Sequence, residues 1–178
     1  MTTTRKNVTH LFSESEIARR VLELGQQIAV DYVEKDLVLV VLLDGAFTFA
    51  ADLSRAMDLD VDICFMRASS YGRAQVSSGE VEIVHGPNIS IQDKHVLIIE
   101  DIVDTGLTLT TIKEHLRSRL PSSLKICTML DKPAGRLIEL SAEYVGFTIE
   151  DHFVVGYGMD VAGRFRNLPY IGIYTDAD

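Results

Sequence analysis

Seven consecutive apolar residues, Leu37 to Leu43 (LVLVVLL), constrain this chain more than any other stretch. The run is too short to cross a bilayer or to make a full helix, and it lacks the alternation of a strand with one wet face. It reads as a strand covered on both faces, the pattern of a parallel sheet. His95 to Ile99 (HVLII) reads as a second buried strand, and Val61 to Met66, Leu124 to Leu130, Tyr144 to Ile149 and Tyr170 to Tyr174 are further strand candidates, with Val81 to Val84 a short one. Helical patterns lie between the strands. Ser13 followed by Glu16 is a capping box, and Ile17, Val21, Leu24 and Ile28 recur at helical spacing, which predicts a helix from about Glu14 to Glu34. Helical spacing returns over Ala46 to Met57, and a helix over Thr108 to Arg119 stops before Pro121. Strands alternating with helices give an α/β fold with a mainly parallel central sheet flanked by helices. No linker, repeat or low-complexity tract interrupts the 178 residues, so residues 1–178 read as one domain.

Charge and cysteine usage narrow the function classes. The formal net charge is −9, which argues against a nucleic-acid surface built on clustered Lys and Arg. Cys64 and Cys127 sit inside strand-like segments and read as buried free thiols, and the five histidines show no metal-ligand spacing, which fits a reducing, cytoplasmic setting. Met1 to Ser13 holds no continuous apolar stretch of the kind a secretory signal needs, and no run is long enough for a membrane span.

Ligands of open α/β sheets bind beyond the carboxyl ends of the strands. The most informative such end is Val96 to Thr111 (VLIIEDIVDTGLTLTT), where a buried strand runs into Glu100-Asp101, then Asp104-Thr105-Gly106, then a helix. Gly106 permits a tight turn, Thr105, Thr108 and Thr110 offer hydroxyls, and the amides opening the helix make a cradle for a phosphate. Acids capping a helix would be the ordinary reading of Asp-Thr-Gly alone. Three acids beside a phosphate cradle would repel the ligand unless a cation or ligand hydroxyls intervene. Carboxylates suit ribose hydroxyls, and carboxylate and phosphate oxygens suit Mg²⁺, so the residues point to a ribose phosphate with bound magnesium.

The segment closely resembles the phosphoribosyl-pyrophosphate motif of type I phosphoribosyltransferases. Leu42 to Phe47 (LLDGAF) is similar to that family's pyrophosphate loop, and Ser69-Ser70-Tyr71-Gly72 looks like the start of its flexible lid, here about residues 69–80. Leu130-Asp131-Lys132-Pro133, Tyr144 to Asp160 and Arg164 to Tyr170 look like the base-binding part of the bacterial-type hypoxanthine/guanine branch, so the likeness runs from about Leu11 to Ile173. The resemblance implies the type I phosphoribosyltransferase fold, with a small base-binding hood, and a homodimer or homotetramer. It implies transfer of a 5-phosphoribosyl group from phosphoribosyl pyrophosphate to a 6-oxopurine.

Site roles follow from the same resemblance. Asp104 is the acid/base facing the purine N7, and Asp104, Thr105, Gly106, Leu107 and Thr108 hold the 5′-phosphate. Glu100 and Asp101 meet the ribose hydroxyls or Mg²⁺, and Asp160 is a further magnesium contact beside the base. Lys132 donates to the 6-oxo group, Phe153 stacks on the purine, and the Val154 main chain reads the base edge. Asp44 and Gly45 bind pyrophosphate mainly through backbone amides, Arg166 pairs with it, and Ser70 and Tyr71 close the lid. The Leu43-Asp44 peptide is expected to be cis. Some members, notably eukaryotic ones, carry a lysine where this chain has Asp44. An mRNA-binding regulator of the same fold, a phosphoribosyltransferase for xanthine or another base, and a flavodoxin-like phosphate-binding domain compete with this reading. The regulator would want a basic face, and the flavodoxin-like domain leaves Asp160 and Arg166 without a task.

Overall fold

The apolar runs become the middle of one sheet. The computed structural model describes residues 7–70 and 81–175. Its elements are β1 (Val8–Phe12), α1 (Glu14–Asp31), β2 (Leu37–Leu43), α2 (Phe47–Ala56), β3 (Asp62–Ser70), β4 (Val81–His85), β5 (His95–Val103), α3 (Leu107–Arg117), β6 (Ser123–Asp131), a 3-10 turn (Pro133–Gly135), β7 (Tyr144–Thr148), β8 (Val154–Val155) and β9 (Ile171–Tyr174). The main sheet has the order β4-β3-β2-β5-β6-β7. Its strands run parallel except β4, which pairs antiparallel with β3 at the edge.

Alternation inside β2 explains why an unbroken apolar run was needed. Leu37, Leu39 and Val41 enter a core with Leu24 and Ile28 of α1 and Phe49 and Leu53 of α2. Val38, Val40 and Leu42 enter the opposite core, under Leu109, Ile112 and Leu116 of α3. Successive strand residues point to opposite faces, so a strand covered twice must be apolar at every position. All five parallel strands then end on one side, and the loops that follow them meet there.

Several boundaries differ from the sequence reading. Helix α1 stops at Asp31 rather than near Glu34, because Tyr32 leaves helical geometry and Glu34 takes a left-handed φ of 58°. Strand β5 continues past Ile99 to Val103, so Glu100 and Asp101 lie on the strand itself rather than after it. Strand β3 likewise runs on to Ser70 and pairs Ser69 with Glu82 and Ser70 with Val81. The expected lid therefore begins as a strand, and Tyr71 to Glu80 lie outside the described residues. A second sheet, in the order β1-β9-β8 and antiparallel, forms the small hood. Strands β1 and β8 have no counterpart in the sequence reading; each is short and is defined by its distant partner β9.

Candidate active site

Three carboxyl ends of the main sheet, those of β2, β5 and β6, converge beneath the hood. At β5 the two acids interact with each other but meet different neighbours. Glu100 lines a cavity of about 170 Å³ together with Asp104, Thr105, Gly106 and Thr108. Asp101 abuts Gly45, and its Oδ1 accepts from the Ile102 amide at 2.7 Å. Burial raises the Glu100 carboxyl well above the ordinary value, and the neighbouring Asp101 charge raises it further. Such a pair is relieved by a cation.

The turn from β5 into α3 is built as an anion cradle. Gly106 is the helix N-cap at φ 86° and has no side chain to cap with; the Leu107 amide reaches the Thr105 hydroxyl oxygen at a long 3.4 Å. The amides of this first turn are therefore weakly held and can serve as donors for a ligand. The carbonyls of the turn are tied down away from it: Val103 accepts from the Lys132 amide, Asp104 from Arg136 Nε at 2.8 Å and Thr105 from the Leu137 amide at 3.0 Å. Thr105 and Thr108 line the cavity, whereas the Thr110 hydroxyl donates back to the Gly106 carbonyl at 3.0 Å and takes no part in the cradle. Asp104 is not a helix cap. Its Oδ2 lies 2.8 Å from Lys132 Nζ.

Lys132 follows β6 directly and is 12% exposed along its side chain, held also by Asp151 Oδ1 at 3.1 Å. Burial works against its charge, but hydrogen bonds and attraction from Asp104 and Asp151 outweigh that, and its pKa is raised overall. Gly135 makes the arrangement possible, since a Cβ there would collide with the Asp104 carboxylate and press on Lys132 Cε. Over this pair stands the hood. Phe153 is 56% exposed, its ring edge-on to Tyr174 with centroids 6.0 Å apart, while Val154 is buried in β8. A large aromatic held in place yet open to solvent is a ready stacking platform.

The loop expected to bind pyrophosphate is organised around Gly45. The Leu43-Asp44 peptide is cis, as expected. A Cβ on Gly45 would overlap the Asp101 carboxylate, and one on Gly158 would overlap the Gly45 carbonyl. Strand end, loop and hood therefore touch at one residue without a side chain. The Asp44 carboxylate faces Arg67, whose Nη2 reaches Oδ1 at 2.6 Å and Oδ2 at 2.5 Å. Arg166 bonds the Gly158 carbonyl at 2.6 Å and pairs with Asp160 Oδ1 at 2.8 Å, while Asp160 Oδ2 accepts from the Gly163 amide at 2.7 Å. A cavity of about 780 Å³ between α1, α2 and residues 166–169 shares only Arg166 with this group.

The sequence reading missed Asp151, Arg136 and Arg67. Arg136 clamps the Asp104 carbonyl and pairs with Asp131, inside the same LDKPAGR stretch that supplied Lys132. Its buried role depends on β5 lying beside β6, which no local signal announces. The donor set also bears on magnesium. Among the described residues no cluster of three or more acids, histidines or cysteines could cage a metal alone. Two adjacent carboxylates beside a phosphate cradle fit Mg²⁺, which keeps waters and substrate oxygens in its shell.

Known proteins resemble this chain over nearly its whole length. The profile of the family described as phosphoribosyl transferase domain matches residues 7–162. The hypoxanthine-guanine phosphoribosyltransferase of Bacillus subtilis is 47% identical over 167 residues, covering 94% of this chain and 93% of that protein. The hypoxanthine phosphoribosyltransferase of Haemophilus influenzae is 49% identical over 171 residues, covering 94% and 96%. Among solved structures, a hypoxanthine phosphoribosyltransferase from Staphylococcus aureus superposes with a TM-score of 0.93 at 44% identity, over 98% of this chain and 97% of that one.

Proposed function

Because this chain belongs to the phosphoribosyl transferase family, we propose that it transfers the 5-phosphoribosyl group of phosphoribosyl pyrophosphate to hypoxanthine, and also to guanine. The products are IMP or GMP and pyrophosphate, the reaction of purine salvage. One observation carries the choice of base: Lys132 Nζ and Asp104 Oδ2 sit 2.8 Å apart. On a 6-oxopurine, O6 and N7 are neighbours on one edge. An ammonium and a carboxylate side by side therefore match the oxo group and a protonated N7. Adenine would present its amino group to Lys132, donor against donor.

The reaction then follows from the positions. Phe153 stacks the base, the Val154 main chain meets its edge, and the cradle of Thr105, Gly106, Leu107 and Thr108 fixes the 5′-phosphate. The purine N9 attacks C1 of the ribose, the C1–oxygen bond breaks, and its electron pair leaves with pyrophosphate. Asp104 takes the proton from N7 as positive charge would otherwise build on the base. Mg²⁺, held by Glu100 and Asp101 with Asp160 as a further contact, would neutralise the departing pyrophosphate. Arg166 leaves Asp160 to meet the same oxygens, and Asp44 and Gly45 present backbone to them. Ser70 and Tyr71 belong to the lid that keeps water from the activated sugar.

The working state we propose is cytoplasmic and a homodimer or homotetramer. Phe47, Ile63 and Phe65 line one exposed apolar hollow beside α2 that a second copy would cover. The chemistry is tested by supplying phosphoribosyl pyrophosphate and Mg²⁺ with hypoxanthine, guanine, xanthine, adenine or uracil in separate reactions, and separating the products. IMP and GMP should form, and EDTA or Asp104→Asn should suppress both by roughly 100-fold or more. Reaction with uracil or adenine alone, or with no base, would overturn the proposal.

A further inference from the structure

The acid at position 44 raises a question that the fold answers from the neighbouring strand. A pyrophosphate loop should not place a carboxylate against its ligand, and Glu100 and Asp101 are already close by. Asp44 follows the last residue of β2, and Leu43 is in parallel register with Arg67 of β3. That register delivers the guanidinium to the carboxylate, with both Asp44 oxygens on one nitrogen at 2.5 and 2.6 Å. Only Nη2 is used by the described residues, so Nε and Nη1 keep donors to spare.

The pair is a poor structural device. Its side chains are 53% and 46% exposed, and ion pairs in that setting add about 0–1 kcal/mol to a fold. Its place is more telling than its strength, since it stands at the carboxyl end of the sheet beside Gly45, where the Asp101 carboxylate also lies. Of the other basic side chains of the site, Lys132 is held by Asp104 and Asp151 on the base side, and Arg166 reaches pyrophosphate only by giving up Asp160.

We propose that Arg67 is a binding residue of the pyrophosphate subsite, neutralising Asp44 and offering its free donors to pyrophosphate oxygens. The loop's cation is thus supplied from the adjacent strand instead of from the loop itself. Guanidinium suits the task because one edge can hold a carboxylate while the rest meets phosphate. This inference rests on residues 44–46 being the pyrophosphate loop of the proposed transferase.

A four-protein cycle decides it: wild type, Arg67→Gln, Asp44→Asn, and the double variant, with Arg67→Lys as the conservative rescue. Each is titrated calorimetrically with inorganic pyrophosphate plus Mg²⁺, and each is assayed for the KM of phosphoribosyl pyrophosphate and of hypoxanthine. Arg67→Gln should weaken pyrophosphate binding and raise the KM of phosphoribosyl pyrophosphate by roughly 10-fold, with hypoxanthine changing less than about 2-fold. Removing the acid as well should recover part of that loss, so the two changes are not additive. Arg67→Lys should lie between. Equal pyrophosphate binding by wild type and Arg67→Gln, strict additivity, or an equal rise in both KM values would overturn the proposal. A wild type that binds pyrophosphate but forms no nucleotide would overturn the transferase reading alone, and the titration would still decide Arg67.

Discussion

In the proposed reaction base choice turns on Lys132, and the ionisation of this residue has a definite sign. Its pKa is raised by Asp104 and Asp151 against the opposing effect of burial. The folded chain thus holds this proton more tightly than the unfolded one. The resulting stability is complete below the ordinary lysine value of about 10.4 and is lost as pH rises through the higher folded value. Urea denaturation of wild type and Lys132→Met should therefore differ by a constant amount from about pH 6 to about pH 9, the gap closing only at more alkaline pH. A gap that already narrows near neutrality would contradict the ion pairs. In activity, Lys132→Met should lower kcat/KM for hypoxanthine by roughly 100-fold or more, because it leaves the oxo group without its donor. Lys132 was nameable from the sequence only through its resemblance to a known motif. Asp151, its second partner, carried no signal, since an acid in a polar turn is ordinary until the fold sets it 3.1 Å from an ammonium.

Elements were legible where local chemistry decides them. Ser13 accepts from the Glu16 amide, and the Glu16 carboxylate accepts from the Ser13 amide at 2.9 Å, so the capping box read from two letters is present. Ser13→Ala should cost about 1 kcal/mol of unfolding free energy, measured in urea, with both KM values unchanged because the cap's side-chain bonds stay within residues 13–16. A loss of activity without a loss of stability would show that α1 couples to catalysis. Strand ends were less legible. The sequence places a break where apolar residues give way to Glu100-Asp101, yet β5 continues to Val103 because its partner β6 runs on beside it, pairing Ile102 with Leu130. Strands β1 and β8 were invisible for the same reason. Their few residues become strands only by bonding to β9.

At the scale of the molecule, two cores share one sheet, and the sheet's carboxyl edge gathers the chemistry. One face remains only partly dressed. Ile63 and Phe65 alternate outward from β3 beyond the cover of α2, with Phe65 47% exposed. If a second copy covers them, sedimentation velocity should show an oligomer for wild type, and Phe65→Asp should shift it toward monomer with little loss of protomer stability. A monomeric wild type would end the oligomer proposal.

The sequence by itself determined the doubly covered sheet, the succession of the main sheet's strands and helices along the chain, the first helix cap and the acid-rich turn after β5. Each of these is a local pattern or a composition that admits few alternatives, and a strand apolar at every position has to be buried on both sides. Only the tertiary structure decided which charges meet. Asp104 with Lys132, Asp44 with Arg67, and Asp101 against Gly45 join residues 23 to 56 positions apart in the chain. Those meetings depend on strand order and register, which place side chains by long-range pairing rather than by any signal in the residues next to them.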